Sequence, residues 1–170
     1  MGGGLSRALR ENAPPPATGF GQGVDGLEVG HRLMAAGEHE MALRAYYRAA
    51  AENGMSVDVL SAIGSANLAL GRLGQAEQVL RRAVDLDPTF VPAQNNLGVT
   101  LVERGKLAEA RVVFQQAFQL DSGQTDSLRE NLRRVMEMTD PDRYADPDAP
   151  AETFQLVRRG ENEVVLLSEL

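Results

Sequence analysis

The stretch NLGVTLVERGKLAEARVVFQQA, Asn96–Ala117, decides the fold. An apolar run with a glycine inside it, Gly98, is stopped by a second glycine, Gly105. A second run follows, carrying Ala110 and Ala117 seven residues apart. Moving back from it in steps of 34 residues, the same small residues return twice. Gly30, Gly64 and Gly98 form one series and Gly37, Gly71 and Gly105 a second; Ala42, Ala76 and Ala110 form a third and Ala49, Ala83 and Ala117 a fourth. Four series in register over three copies mark a chain of repeated supersecondary units.

Each series has a physical reason inside a helix–turn–helix unit. Gly30, Gly64 and Gly98 lie within apolar helical patterns, where Gly costs about 1 kcal/mol relative to Ala. Close approach of a neighbouring helix is the role that compensates. Gly37, Gly71 and Gly105 follow the first runs and suit the left-handed residue that ends a helix. The paired alanines share one face of the second helix, where a small side chain admits its neighbour.

This layout resembles the tetratricopeptide repeat family, most clearly in Asn96-Leu97-Gly98, Gly105, Ala110, Phe114 and Ala117. The middle copy has Gly64, Gly71, Ala76, Leu80, Ala83 and Pro88, and the first has Gly30, Leu33, Gly37, Ala42, Tyr46 and Ala49, with Gly54 where the helix-ending proline is expected. The resemblance implies an all-α fold, a right-handed solenoid of helical hairpins, with repeats at 23–56, 57–90 and 91–124. A capping helix is expected at 125–138, with Leu128, Leu132 and Val135 turned inward. Its polar outer side would carry Arg129, Glu130, Arg133, Arg134 and Glu137, because the last repeat needs a solvated end.

The two ends differ from the repeats. Residues 1–22 contain Pro14-Pro15-Pro16 and several glycines, a composition that predicts a flexible tether. Residues 139–170 begin as an acidic, proline-punctuated linker through Pro150. Two β-prone runs follow, Thr153–Val157 and Glu163–Leu167, around Gly160-Glu161-Asn162, and predict a hairpin. A lone hairpin is marginal in water. It therefore docks on the solenoid, pairs with a partner strand or stays disordered; the alternative is a short helix from Glu163 to Leu170.

Composition narrows the function. The net charge of −7 and pI near 4.9 argue against nucleic acid, whose phosphates call for clustered Lys and Arg. The chain has no cysteine, so thiol chemistry and disulfides are excluded. No stretch reaches the roughly 20 apolar residues of a membrane-spanning helix. Cytoplasmic residence is expected as the sequence stands, or a periplasmic, outer-membrane-anchored one if a signal and lipid anchor belong upstream. The sixteen arginines against the single Lys106 suggest the codon bias of a GC-rich bacterium.

Tests for chemistry point away from an enzyme. Gly21-Gln22-Gly23-Val24-Asp25-Gly26 spells a dinucleotide-binding string, but prolines rather than a buried strand precede it. His31 and His39 fall on different helices, without the further ligands zinc needs. No nucleophile elbow, phosphate loop or paired catalytic carboxylates emerge, and neither metal nor cofactor is expected.

By the family resemblance, the first helix of each unit lines a concave groove for a peptide or partner helix. The residues facing it would be Leu27, His31 and Met34; Asp58, Ser61, Ser65 and Leu68; and Asn95, Asn96, Val99 and Glu103, with Arg129 and Arg133 extending the wall. Asn95 and Asn96 are suited to bonding a peptide backbone, or else one of them packs between repeats. Family members that bind chaperone tails clamp a terminal carboxylate with Lys and Arg; the matching places here carry Leu27, His31, Pro92 and Asn96. The expected function is a protein-binding scaffold in the assembly of a bacterial envelope machine such as a pilus. A cytoplasmic secretion chaperone and a regulatory subunit of an enzyme complex are the alternatives.

Overall fold

In the structure, a computed structural model that describes residues 25–144, 155–156 and 165–166, three helical hairpins follow one another and two further helices close the series. The expected tether 1–22, most of the Gly21–Gly26 string, the linker beyond Tyr144 and the Gly160–Asn162 turn lie outside the described residues. The first hairpin joins α1 (Gly26–Ala35) to α2 (His39–Asn53). The second joins α3 (Val57–Ala69) to α4 (Leu73–Leu86), and the third α5 (Val91–Glu103) to α6 (Leu107–Asp121). The capping helix α7 (Asp126–Thr139) and a single turn α8 (Pro141–Tyr144) complete the helical part.

Local chemistry sets these limits. Asp25 caps α1 by accepting from the Leu27 amide at 3.1 Å, and Ser56 caps α3 by accepting from Val59 at 3.2 Å. All three intra-hairpin turns are built alike. In the second, Gly71 has φ +71° and donates to Leu68 O while Arg72 donates to Asn67 O, a Schellman closure of α3. Gly37 (φ +78°) and Gly105 (φ +73°) repeat that pattern. Gly54, standing where a proline was expected, ends α2 with φ +90°.

The other glycine series is a packing device. A β-carbon on Gly30 would come within 2.2 Å of the Tyr46 ring, one on Gly64 within 2.4 Å of Leu80 Cγ, and one on Gly98 within 2.6 Å of the Phe114 ring. Each glycine of a first helix thus receives the large residue sixteen positions later on the second. The alanines complete the seam, all of them at most 1% exposed.

The first helices of successive units touch one another, α1 with α3, α3 with α5 and α5 with α7, whereas α2, α4 and α6 have no comparable mutual approach. Layers that close on one side and splay on the other curve the stack, with the first helices inside.

The strands β1 (Gln155–Leu156) and β2 (Val165–Leu166) pair antiparallel, Gln155 opposite Leu166 and Leu156 opposite Val165. Val165 and Leu166 are therefore strand, not part of the alternative terminal helix. β1 lies against α5 and α7. The cap also departs from expectation: of its five polar residues only Arg129 is exposed, Arg134 is buried, and Glu130, Arg133 and Glu137 are half-buried. The physical reason is that α7 is not the bare end of the stack, because β1 and α8 pack on it.

Candidate functional site

The inner layer is unusual in its burial. VDVLSAIGSANLA in α3 and VPAQNNLGVTLVE in α5 carry small and apolar residues all round rather than on one stripe, which is the pattern of a helix buried on every side. Accordingly 59–68 and 93–102 are buried without interruption. Neither helix contains a Lys or Arg.

Along this layer runs a ladder of polar side chains. Asn131 of α7 donates from Nδ2 to Asn95 Oδ1 at 2.9 Å, and Asn95 donates to Asn96 Oδ1 at 3.3 Å. Asn96 in turn donates to Ser65 Oγ at 2.8 Å, and the Ser65 hydroxyl donates to Ser61 O at 3.0 Å. Four side chains thus tie α7, α5 and α3 together, all of them less than a tenth exposed. Buried polar groups stay affordable only when bonded, and a connected chain of them fixes helix register. A carboxamide has two donors and two acceptor lone pairs, so one such side chain can hold a neighbour and a peptide backbone together.

The structure places the expected wall residues in three settings. Ser61, Ser65, Asn95 and Asn96 come together in the ladder. Met34, Leu68 and Val99 are packed into apolar clusters, Met34 beside Tyr46 and Leu43, and Leu68 and Val99 with Leu97 and Leu101. Leu27, His31 and Asp58 are half-buried and Glu103 is exposed. His31 Nδ1 lies 2.9 Å from the Tyr46 hydroxyl, with the rings edge to face at 5.5 Å, so this histidine is tied to the α1–α2 seam.

Arg129 and Arg133, expected to extend the wall, are both paired with carboxylates. Arg129 bonds Gly123 O at 2.8 Å and pairs with Asp126. Arg133 pairs with Glu130 at 2.5 Å and with Glu137; the bond it donates to Glu130 and the charge of the two nearby carboxylates raise its pKa, holding it protonated.

Asn131 was missed from sequence. Its signal was present: it stands between Leu128 and Val135 on the buried stripe of α7, a polar residue where an apolar one is due. The absence of any Lys or Arg from α3 and α5 was a second such signal.

Two family models, both described as tetratricopeptide repeat, match residues 27–89 and 79–112. No curated protein sequence matches the chain. Among solved structures, the tetratricopeptide domain of Sgt2 from Aspergillus fumigatus aligns at 19% identity with a TM-score of 0.64, over 81% of this chain and 89% of that one. The second such domain of human RPAP3, solved with an HSP70 peptide, gives 23% identity and a TM-score of 0.59 over 66% and 92%. The first repeat domain of Spaghetti (RPAP3), bound to an HSP90 peptide, gives 19% and 0.61 over 67% and 90%. Likeness at these identities is likeness of fold.

Proposed function

Because this chain belongs to the tetratricopeptide repeat family, we propose that it is a peptide-binding scaffold whose inner groove holds an extended, uncharged segment of a partner protein. The observation that carries this reading is the Asn131–Asn95–Asn96–Ser65 ladder, which sets carboxamides of α7 and α5 and a hydroxyl of α3 along the inner layer. Amides recognise backbone without demanding a side-chain sequence.

Solved relatives hold HSP70 and HSP90 peptides. A chain-terminal carboxylate is a poor ligand for this groove, since α3 and α5 supply no cation while Asp58 and Glu103 flank the inner face. A neutral or weakly basic internal segment fits the charge better. The setting we infer is assembly of an envelope machine such as a pilus, supported by the acidic composition and the Pro/Gly-rich residues 1–22 beside the repeats. A secretion chaperone is the competing assignment, and a single co-purifying cytoplasmic substrate would favour it.

The test is crosslinking and mass spectrometry of tagged protein in its native host, comparing wild type with Asn95→Ala and confirming helicity by circular dichroism. A partner captured by wild type and reduced about tenfold in the variant, with helicity kept, supports the groove. Equal capture by both chains moves the binding surface elsewhere.

A further inference from the structure

The inner layer already has an occupant. Successive first helices form the concave side, and β1 approaches two of them, α5 and α7. An element that meets both without comparable approach to the intervening second helix α6 lies on the inner side of the curve. The ladder residues Asn95, Asn96 and Asn131 belong to the same two helices and are 0% exposed, as the wall beneath a seated segment would be. Among the described residues outside the helices, β1 and its partner β2 are the only elements, and β1 is the one against this wall.

We propose that the strand Gln155–Leu156 is a built-in ligand of the groove, so that a partner segment binds by displacing the chain's own tail. This rests on the groove being the partner site. Ten residues separate Tyr144, the last residue of α8, from Gln155. A segment on so short a tether is present at an effective concentration on the order of millimolar. Even a weak contact therefore keeps the groove filled for most of the time. The partner's apparent affinity is divided by the fraction of open groove, so a tail docked about ten times more often than not weakens binding about tenfold. A neutral, extended strand against this wall also indicates what succeeds it: another extended segment, not a helix with a charged face.

The test uses the full chain, whose lack of cysteine makes single labels unambiguous. Leu156→Cys carrying a benzophenone is photolysed and the product mapped by mass spectrometry. In parallel, a fluorescein-labelled synthetic peptide of residues 150–160 is titrated by anisotropy into wild type, Leu156→Pro and Leu156→Asp. Proline removes a strand donor and aspartate adds a charge to a neutral segment, so the two variants weaken docking by different routes. Crosslinks to α5 or α7 within one chain, with peptide affinity about tenfold higher in both variants than in wild type, are expected. Crosslinks elsewhere, a crosslinked dimer, or equal peptide affinity in all three chains overturn the proposal while leaving the groove reading intact. If instead the photocrosslinked chain, its tail fixed in the groove, captures native partners as well as the untreated chain does, it is the groove reading that fails.

Discussion

Gly98 lies directly under the ring of Phe114, so close that a single added methyl group would stand 2.6 Å from Cε1 and 2.7 Å from Cζ. The contact is made once in each unit, by Gly30 with Tyr46 and by Gly64 with Leu80. It explains why a residue unfavourable to helices recurs in the middle of three of them.

Gly98→Ala should therefore destabilise the protein even though alanine favours the helix by about 1 kcal/mol. Overpacking a closed core costs about 1–3 kcal/mol, and the aromatic ring has little freedom to withdraw, being 0% exposed. We expect a net loss of up to about 2 kcal/mol by urea denaturation. In a Phe114→Ala background the same change should become neutral or stabilising, because the clash is gone.

Gly71→Ala should cost a similar amount for a different reason. No atom beyond its chain neighbours lies within 4 Å of the added carbon, so the penalty is that of holding an L residue at φ +71°, about 1–2 kcal/mol. Gly71→Asn, which tolerates that region, should lose less than half as much. If alanine and asparagine are equally destabilising, the turn is not the cause.

Glu77 links the second and third units. Its buried carboxylate accepts from Arg81 at 2.8 Å and Lys106 at 2.9 Å and forms an ion pair with Arg104 at 3.0 Å, and Arg81 also reaches Glu109 at 2.6 Å. Burial pushes its pKa up, but the bonds from Lys106 and Arg81 and the nearby Arg104 charge outweigh it and hold the pKa below its ordinary value. A depressed folded pKa gives stability that is present above the unfolded value, near 4.3, and lost as pH falls through the folded one. Glu77→Gln should cost about 2 kcal/mol at pH 7. Below about pH 4 the gap between variant and wild type should narrow; a pH-independent gap would show that charge is not what matters.

Asn96→Ala removes the centre of the ladder, leaving Ser65 without its 2.8 Å donor and Asn95 without its 3.3 Å acceptor. Breaking bonds to buried polar groups should cost about 1–3 kcal/mol. A double-mutant cycle with Ser65→Ala should return a coupling of about 1 kcal/mol. Strict additivity would place the two side chains in separate environments.

Much of the architecture was readable in order along the chain. Helix-and-turn alternation follows from Gly37, Gly71 and Gly105, whose backbone freedom is a local property, and from apolar spacing that depends only on helix pitch. The cap was legible in Leu128 and Val135 for the same reason, and the hairpin in its β-prone runs. The inner wall was legible in part: Asn95 and Asn96 stood out as paired amides, but their bonds to Asn131 and Ser65 cross helices 36 and 31 residues apart.

The sequence by itself thus determined the repeat, its period, its turns and the face of each helix that must be small, because these are set by neighbours within one helical hairpin. The tertiary structure alone decided which polar residues join, that Met34, Leu68 and Val99 pack inward, that Arg134 is buried, and that β1 lies along α5 and α7. Those outcomes depend on the curvature of the stack, which brings distant first helices together on one side, and no local pattern of residues encodes that distance.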